Sequence, residues 1–412
     1  MQIRNESQVC LLTGGSDRPY VFGLATALMG TGATLDLIGS DELEFPEFGS
    51  LSGLRFLNLR GSSDRHASLM AKVSRIAKYY IRLIRYAATS KPKIFHILWN
   101  NKFEYLDRTF LMIFYRLLGK KIAITVHNVN ANKRDLKDGF VNRLTLRIQY
   151  RLAHHLFVHT ERMRNELIDD FHVADERVSV IPFGINNAVP RTELDPRRAK
   201  ELLKLNPEDK VILFFGRITP YKGLDWLIPI FRRLVAHDDS YRLVIAGRPD
   251  KCDEYWSRIR LDLQTDVKAG TVLLNDEFIP DEQVEIYFKA ADVFILPYRD
   301  IYQSGVLFLG QSFGLPVLAS DAGSMKEDVV EGENGYIFEL EHPLRLEETI
   351  VRYFSSELYQ NLDRLRENIR QKAIDLHSWD EVARTTLNVY SDLKNPAADQ
   401  NKRRANASAD AR

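Results

Sequence analysis

The chain has 412 residues, of which 45% are hydrophobic and 27% are charged, and its formal net charge is +1. This length predicts two or three domains, the composition is typical of a soluble globular protein, and the charge balance argues against a dedicated nucleic-acid-binding protein. Its two cysteines, Cys10 and Cys252, are far apart in the sequence, so we expect reduced thiols in a cytoplasmic protein. The N-terminus lacks a signal-peptide pattern, and no apolar run approaches the roughly 20 residues of a membrane-spanning helix.

Short apolar runs alternate with longer amphipathic segments along the first half of the chain. The predicted strands are VCLLT, ATLDLIG, LRFLNL, KIFHILW, KIAITVH, HLFVHT and VSVIP, and the predicted helices lie near residues 19–31, 65–88, 103–118, 138–153 and 160–171. This alternation, with nearly continuous apolar strands, indicates a parallel sheet that is covered by helices on both faces.

A segment without periodicity, PFGINNAVPRTELDP at 182–196, predicts an interdomain linker because it is rich in Gly, Pro and Asn. A second series of strands follows: KVILFFG, YRLVIAG, GTVLLN, DVFILP, PVLAS and GYIF. The predicted fold class is therefore α/β, with two Rossmann-like doubly wound parallel-sheet domains and a ligand site in the cleft between them. We place the domains at 1–185 and 186–376, with one charged helix over 344–374, a C-terminal helix at 377–394 and a disordered polar tail at 395–412.

The first candidate site is FFGRITPYKG, where an apolar strand ends at Gly216 and is followed by Arg217 and Lys222. Glycine lets the backbone approach a ligand closely, and the arginine fork and the lysine point charge both suit phosphate oxygens. The alternative is that both cations are solvated and pair with Asp225 or Glu254.

The second candidate site is YRDIYQSGVLFLGQSFGLPVLAS, which follows the strand DVFILP. Ser304 is a predicted N-cap, and Gly305 opens an apolar helix that is expected to stop at Gly314. The start of such a helix carries free N–H groups and a partial positive charge, so it can bind an anion, although ordinary capping explains Ser304 equally well. Two anion-binding elements at the ends of neighbouring strands together predict a diphosphate site.

A family resemblance is carried by FFGRITPYKGLDWLI and by FIPDEQVEIYFKAADVFILPYRDIYQSGVLFLGQSFGLPVLASDAGSMKEDVVEGENGYIF. These segments resemble family 4 glycosyltransferases of the GT-B fold. The similarity covers the second domain through HSWDEVA at 377–383, and TVHNV and VIPFGIN match the first domain more loosely. It implies two domains that face each other across a cleft, a nucleotide sugar held mainly by the second domain, and a final helix that starts at Trp379 and crosses back onto the first domain.

The resemblance also implies a reaction, namely transfer of a sugar from a nucleoside-diphosphate sugar to an acceptor hydroxyl with retention at the anomeric carbon. Negative charge grows on the distal phosphate oxygens as the sugar leaves, and fixed donors around those oxygens lower the barrier. The predicted donors are Arg217, Lys222 and the backbone of Ser304, Gly305 and Val306 beside Gly216. We expect no cofactor and no metal, and no Asp-x-Asp motif follows a predicted strand.

In the first domain, His127 ends the strand KIAITVH, and the resemblance implies that it contacts the donor sugar or the reacting centre. The alternative is a turn histidine that is assisted by Asn128 and has no role. Gly14 and Gly15 resemble the glycine loop of the family, and a plain turn explains them as well. Together with Asn128 they are the acceptor-side candidates.

The sequence departs from the family pattern at one place. The usual pair of glutamates falls on Ile301 and Leu309, which have no side-chain acceptors. Asp300, Gln303 and Glu327 are the candidates to contact the sugar or the nucleoside instead. Two alternatives therefore stay open, a noncatalytic nucleotide-sugar-binding protein and a GT-B epimerase; the epimerase would need acid and base carboxylates in the cleft.

A basic helical segment, KVSRIAKYYIRLIR, is the last feature. Its cations follow helical spacing on one face and predict contact with an anionic membrane surface, which would suit a lipid-linked sugar acceptor. These cations are Lys72, Arg75, Lys78, Arg82 and Arg85. The alternative is a packed helix with a solvated basic face. From the habits of the family we expect a role in surface polysaccharide or glycolipid assembly, with the protein cytoplasmic or attached to the inner face of the plasma membrane.

Overall fold

The computed structural model describes residues 8–14, 17–62, 68–134, 138–340 and 342–395. The predicted disordered tail, from residue 396 onward, and Gly15 lie outside the described residues. The chain divides into two compact units, unit 1 (Met1–Gly184 with Ser378–Arg412) and unit 2 (Ile185–His377).

Unit 1 contains a parallel seven-stranded sheet in the order β3-β2-β1-β4-β5-β6-β7. The strands are β1 (Gln8–Leu12), β2 (Thr34–Gly39), β3 (Leu54–Asn58), β4 (Ile94–Ile97), β5 (Lys121–Thr125), β6 (His155–Val158) and β7 (Val178–Val180). The helices are α1 (Arg18–Gly30), α2 (Leu69–Thr89), α3 (Glu104–Leu106), α4 (Met112–Leu117), α5 (Ala131–Arg134), α6 (Phe140–Leu152) and α7 (Glu161–Asp169). A π-helical stretch, Asp107–Leu111, joins α3 to α4. The strand order changes direction between β1 and β4, which is where such sheets bind ligands.

Unit 2 contains a parallel six-stranded sheet in the order β10-β9-β8-β11-β12-β13. The strands are β8 (Lys210–Phe215), β9 (Tyr241–Ala246), β10 (Val272–Asn275), β11 (Val293–Leu296), β12 (Val317–Ser320) and β13 (Gly335–Phe338). The helices are α8 (Pro196–Leu202), α9 (Leu224–His237), α10 (Asp253–Asp262), α11 (Gln264–Ala269), α12 (Asp281–Ala290), α13 (Gly305–Ser312), α14 (Met325–Asp328), α15 (Pro343–Phe354), α16 (Glu357–Gln360) and α17 (Leu362–Leu376). Both sheets confirm the predicted α/β class.

The central strands of unit 2 are apolar on both faces, as expected for a sheet that helices cover on each side. In β8 every residue from Val211 to Phe215 is buried, and β11 is buried along its whole length. Ile212, Phe214 and Ile245 belong to one hydrophobic core with residues of α9, α10 and α15. This packing fixes the ends of β8 and β11, from which the candidate diphosphate site extends.

The charged segment at 344–374 was expected to form one helix, and this prediction was wrong. The chain breaks there into α15, α16 and α17. Ser356 explains the first break, because it adopts an extended conformation and its hydroxyl accepts a hydrogen bond from the Tyr359 N–H. Serine in this position starts a new helix rather than continuing the old one.

The last helix, α18 (Trp379–Lys394), belongs to unit 1, where it packs against α1. Two glycines make room for the Trp379 indole. An ideal Cβ on Gly23 would lie 2.1 Å from Cε2 of Trp379, and one on Gly184 would lie 2.2 Å from the same atom. Tyr390 adds a buried polar contact, because its hydroxyl lies 2.6 Å from Nδ1 of His96 on β4. Glycine at 23 and 184 is therefore needed for α18 to dock.

Candidate functional site

The two predicted phosphate-binding segments leave neighbouring strands of unit 2. β8 pairs with β11 in parallel, with Val293 opposite Ile212 and Phe294 opposite Leu213. Because parallel strands end at the same edge of a sheet, the turn after β8 and the loop after β11 lie side by side. The Arg299 N–H donates to the Tyr221 carbonyl at 2.7 Å, which joins the two segments directly.

Lys222 lies at the centre of this pair of segments. Gly216 has φ +101°, and an ideal Cβ there would lie 3.2 Å from Lys222 Nζ and 3.4 Å from Val306 Cγ2. Lys222 is only 5% exposed, and its ammonium lies 5.3 Å from the centroid of the Tyr298 ring. The alternative of a solvated surface lysine is therefore wrong for Lys222, and the positive φ at 216, together with the close approach of a Cβ to the ammonium, favours glycine there.

Arg217 behaves differently from Lys222. Its side chain is 69% exposed, and its Nη1 lies 3.2 Å from an Asp250 carboxylate oxygen. The alternative interpretation named Asp225 or Glu254 as the partner of Arg217. The observed partner is Asp250, and Asp225 pairs with Arg299 at 2.6 Å. To bind a phosphate, the Arg217 guanidinium would have to release the half-buried Asp250 carboxylate, and an ion pair near the surface contributes about 1 kcal/mol or less.

Within the described part of the chain, the start of α13 has no side-chain cap. Ser304 is the N-cap residue by position, with φ −116° and ψ 104°, but its hydroxyl makes no capping hydrogen bond to the described chain. The interpretation of Ser304 as an ordinary side-chain cap is therefore wrong. The helix ends at Ser312 with Phe313 as its C-cap, and Gly314 follows with φ +66°, so the predicted stop at this glycine is confirmed. The N–H groups of Gly305 and Val306 have no carbonyl one turn earlier in the helix to accept from them.

The loop that leads into α13 is hydrogen-bonded by serines at the end of β12 and just after it. β12 is the other strand that pairs with β11. Ser320 Oγ donates to the Tyr298 carbonyl at 2.6 Å, and Ser324 Oγ donates to the Tyr302 carbonyl at 2.9 Å, both buried. Gly323 allows a further close approach, because a Cβ there would lie 1.9 Å from the Ile301 carbonyl oxygen. These contacts fix the donors at the start of α13 before any ligand arrives, which is what electrostatic catalysis requires.

The three replacement candidates for the family glutamates have different positions. Asp300 and Glu327 are exposed, whereas the Gln303 side chain hydrogen-bonds to Asp328 and its Oε1 is buried with no hydrogen-bond partner in the described part of the chain. Burial raises the pKa of the Asp328 carboxyl to about 7, with the Glu327 charge adding to the effect. Gln303 lies one residue before the N-cap of α13. No sequence signal pointed to Asp328.

Ile301 and Leu309, at the positions of the family glutamates, are both buried apolar residues. Neither side chain can accept a hydrogen bond, and both pack inside unit 2. Any hydrogen bonds to a sugar or a ribose in this protein must therefore come from other groups.

His127 follows β5 in unit 1, within a group of aromatic rings. Its imidazole stacks on the Trp99 ring with centroids 4.0 Å apart, and the Tyr20 ring meets it edge-on at 4.7 Å. Its Nδ1 lies 3.1 Å from Nε2 of His159, and its own Nε2 is buried. Burial lowers the pKa of His127 well below its usual value, and the adjacent His159 adds to this. Among the described residues, the side chain that pairs with His127 Nδ1 is His159, not Asn128 as in the alternative interpretation.

Sequence reasoning missed His159. It follows β6, the strand beside β5, so the strand-end argument that selected His127 would also have found it. Asn128 is half-buried next to His127, and Gly14 follows β1 with φ +59°. A Cβ on Gly14 would lie 2.6 Å from the carbonyl oxygens of Trp99 and Asn100, so a larger residue would be strained and crowded there.

The basic segment forms α2, whose buried residues are Tyr79, Tyr80, Leu83 and Ala87. Its five cations were expected on one face, and Lys78, Arg82 and Arg85 are exposed while Lys72 and Arg75 are half-buried. Ile84 on the same helix is exposed as well. Among the described residues, no helix is both long enough and apolar enough to cross a bilayer.

Comparison with known proteins agrees with this architecture. Residues 209–356 match the model described as Glycosyl transferases group 1, and residues 18–189 match the model described as Glycosyltransferase Family 4. An uncharacterized glycosyltransferase of Methanocaldococcus jannaschii is 26% identical over 56% of this chain and 58% of its own length. A D-inositol 3-phosphate glycosyltransferase of Acidothermus cellulolyticus is 29% identical over 58% of this chain and 53% of its own length. The chain thus spans less than two thirds of the length of these relatives.

Solved structures show the same fold. Sucrose-phosphate synthase from Thermosynechococcus elongatus has a TM-score of 0.73 at 18% identity and covers 95% of this chain and 100% of its own. HepE from Anabaena, in complex with UDP, has a TM-score of 0.70 at 14% identity and covers 93% of this chain and 99% of its own. At these identities the likeness establishes the fold, which is the predicted GT-B type.

Proposed function

Because the chain belongs to the family 4 glycosyltransferases, we propose that it is a retaining hexosyltransferase that moves a sugar from a nucleoside-diphosphate sugar to an acceptor hydroxyl. The observation that carries the proposal is the buried Lys222, whose ammonium lies close to Gly216, as does Val306 at the start of α13. A lysine that is buried at the carboxyl ends of two adjacent strands, near the first N–H groups of a helix, is suited to a diphosphate. Surface polysaccharide or glycolipid assembly is the proposed setting.

The proposed reaction uses this charge when the sugar leaves. The bond from the anomeric carbon to the diphosphate oxygen breaks, and its electron pair stays on that oxygen. Lys222 and the first N–H groups of α13 stabilise the growing negative charge, and they do so without reorganising. The acceptor oxygen bonds to the same face of the anomeric carbon, and its proton passes to the leaving phosphate. No metal is part of the proposed reaction.

UDP is the first nucleotide to test, because HepE was solved with UDP and with UDP-glucose. We expect the bound nucleoside diphosphate to raise the melting temperature, since a ligand at 100 times its dissociation constant adds about 2.7 kcal/mol to the free energy of unfolding. The measurement is a thermal-shift titration with UDP, GDP and ADP, and nucleosides without phosphate are the controls. A shift that the nucleosides reproduce, or no shift with any diphosphate, would contradict the diphosphate site.

Turnover separates the enzyme from the noncatalytic alternative. The thermal-shift titration selects the base, and with nucleoside-diphosphate sugars of that base we expect slow hydrolysis to the free diphosphate and sugar in the absence of an acceptor. Tight binding without any hydrolysis or transfer would favour the noncatalytic sugar-nucleotide-binding protein. A change in the sugar without release of the diphosphate would favour the epimerase.

We also propose that unit 1 binds an anionic membrane surface through three adjoining helical elements, α2, residues 103–117 and α6. Most of the large hydrophobic side chains that are exposed in the described part of the chain lie between residues 69 and 144. On 103–117 they form a stripe at helical spacing: Leu106, Phe110, Ile113 and Leu117. An exposed apolar surface of this kind marks an interaction site.

The three elements are in contact with one another. The Tyr80 hydroxyl of α2 donates to the Asp107 carboxylate at 3.0 Å, and Arg108 Nη1 donates to Asn142 Oδ1 of α6 at 2.9 Å. The sequences of α2 and α6 contain Lys and Arg but neither Asp nor Glu. Cations that flank exposed apolar side chains favour an anionic bilayer as the occupant, because lipid headgroups neutralise the charge while the acyl chains cover the apolar stripe.

For this surface we expect the protein to float with phosphatidylglycerol vesicles and to stay in solution with phosphatidylcholine vesicles. The double variant Phe110→Ser/Leu117→Ser should reduce binding about tenfold or more, because its two side chains, 75% and 80% exposed, no longer enter the apolar layer.

The matched control is Phe278→Ser/Leu261→Ser in unit 2, where the same residue types are 65% and 67% exposed outside the proposed surface. Equal flotation of the two double variants would exclude membrane insertion at residues 103–117. If size-exclusion chromatography instead shows a dimer that Phe110→Ser/Leu117→Ser dissociates, the stripe is a contact between copies, and the membrane proposal is wrong.

A further inference from the structure

Two histidines of unit 1 form a short hydrogen-bonded chain that ends at a backbone carbonyl. His127 and His159 follow the adjacent strands β5 and β6. His127 Nδ1 lies 3.1 Å from His159 Nε2, and His159 Nδ1 lies 3.3 Å from the Ile181 carbonyl oxygen. Each contact uses one ring nitrogen of His159, so both of its nitrogens have a partner.

The carbonyl at the end of this chain decides where the protons are. The Ile181 oxygen can only accept, so His159 Nδ1 must carry the proton that it donates. A neutral imidazole has one N–H, so Nε2 of His159 is an acceptor, and His127 Nδ1 must donate to it. By the same count, Nε2 of neutral His127 has a lone pair and no proton.

Both rings are neutral in this environment. Burial lowers the pKa of His159 to about 4, although the carbonyls of Ile181 and Pro182 oppose the effect. Burial also lowers the pKa of His127 well below its usual value. If His159 were doubly protonated, its Nε2–H would donate to His127 Nδ1 and the proton of neutral His127 would lie on Nε2, but the lowered pKa of His159 argues against that state at neutral pH.

We infer that His159 is a positioning residue, which holds His127 in the Nδ1–H tautomer so that Nε2 accepts a hydrogen bond from a substrate hydroxyl. The inference rests on the proposed function in one respect, because that function decides whether the hydroxyl belongs to the donor sugar or to the acceptor. Stacking on Trp99 and the edge contact with Tyr20 fix the plane of the ring. The His127 Nε2 atom is buried and has no hydrogen-bond partner within the described part of the chain. A buried acceptor of this kind is unfavourable until a donor reaches it.

The tautomer can be observed directly by NMR on the full-length protein with ¹⁵N-labelled histidine. At pH 7.5 we expect His127 to show a protonated Nδ1 and an unprotonated Nε2, with the signals assigned by their loss in His127→Gln. His159→Phe removes the acceptor and should move His127 toward the Nε2–H tautomer. His159→Gln, whose Oε1 can accept in place of the ring nitrogen, should retain the native tautomer. His237, an exposed histidine of unit 2, is the internal reference and should not change.

A wild-type spectrum with the proton of His127 on Nε2 would overturn the inference, and that spectrum decides the question even if His159→Phe is unstable. An unchanged tautomer in a folded His159→Phe protein would also overturn it. In a donor-hydrolysis assay we expect His159→Phe to lose roughly tenfold in rate, as for one hydrogen bond, and His159→Gln to recover most of it. The spectrum needs no substrate, so a failure of the proposed transferase activity would be seen separately, as absence of turnover with an intact tautomer.

Discussion

Lys222→Ala is expected to lower kcat by about 10²–10³-fold, the loss typical of removing one fixed donor from the site of a developing negative charge. The ammonium is buried beside the start of α13, so water screens its charge poorly and its effect on a leaving diphosphate is correspondingly large. The variant should fold normally, because the substitution removes a buried charge and leaves the hydrophobic core of unit 2 intact. The measurement is hydrolysis or transfer under saturating donor, with the melting temperature recorded in parallel.

Two controls separate this effect from a general loss of positive charge. Arg217→Ala should cost less than Lys222→Ala, because Arg217 is exposed and engaged by Asp250. Lys268→Ala, at an exposed position of α11, should leave the rate unchanged. Equal losses for Lys222→Ala and Arg217→Ala would show that the site uses both cations alike, and full activity of Lys222→Ala would require another group to bind the diphosphate.

The position of this site was predictable from the sequence, because it follows from where apolar strands end. VILFF and DVFILP identified β8 and β11, and parallel strands place their loops at one edge of the sheet. The burial of Lys222 was not predictable. It depends on Tyr298 and Val306, which lie about 80 residues away in the chain and approach Lys222 only after the sheet forms.

Other features escaped prediction for related reasons. The Arg217–Asp250 ion pair joins the turns after β8 and β9, and any of several nearby carboxylates satisfied the sequence pattern. Ser304 fits the N-cap preference, yet it is buried and its hydroxyl makes no capping hydrogen bond within the described chain. Asp328 lies in a short segment, EDVV, that carries no signal of burial. Local patterns therefore located the strand ends, but side-chain partners across the sheet required the structure.

Gly223→Ala is expected to lower the free energy of unfolding by about 3 kcal/mol or more and to weaken nucleoside-diphosphate binding in the protein that remains folded. Gly223 has φ +73°, which costs a residue with a side chain about 1–2 kcal/mol, and it lies between the turn that carries Lys222 and the start of α9. An ideal Cβ would also lie 2.0 Å from the Pro297 carbonyl oxygen at the end of β11. Backbone has to move to relieve that collision, and the adjacent Lys222 moves with it.

Gly270→Ala is the matched control, since Gly270 has φ +76° but no atom within 4 Å of its ideal Cβ. The two variants share the dihedral cost, so the difference between their free energies of unfolding in urea isolates the collision with Pro297. We expect Gly270→Ala to cost about 1 kcal/mol and to bind UDP normally. Gly223→Ala should cost more and bind UDP less tightly at temperatures where both are folded. If the two variants were equally stable and bound UDP equally, the turn after β8 would not be pressed against the end of β11. The buried position of Lys222 would then lack its structural cause.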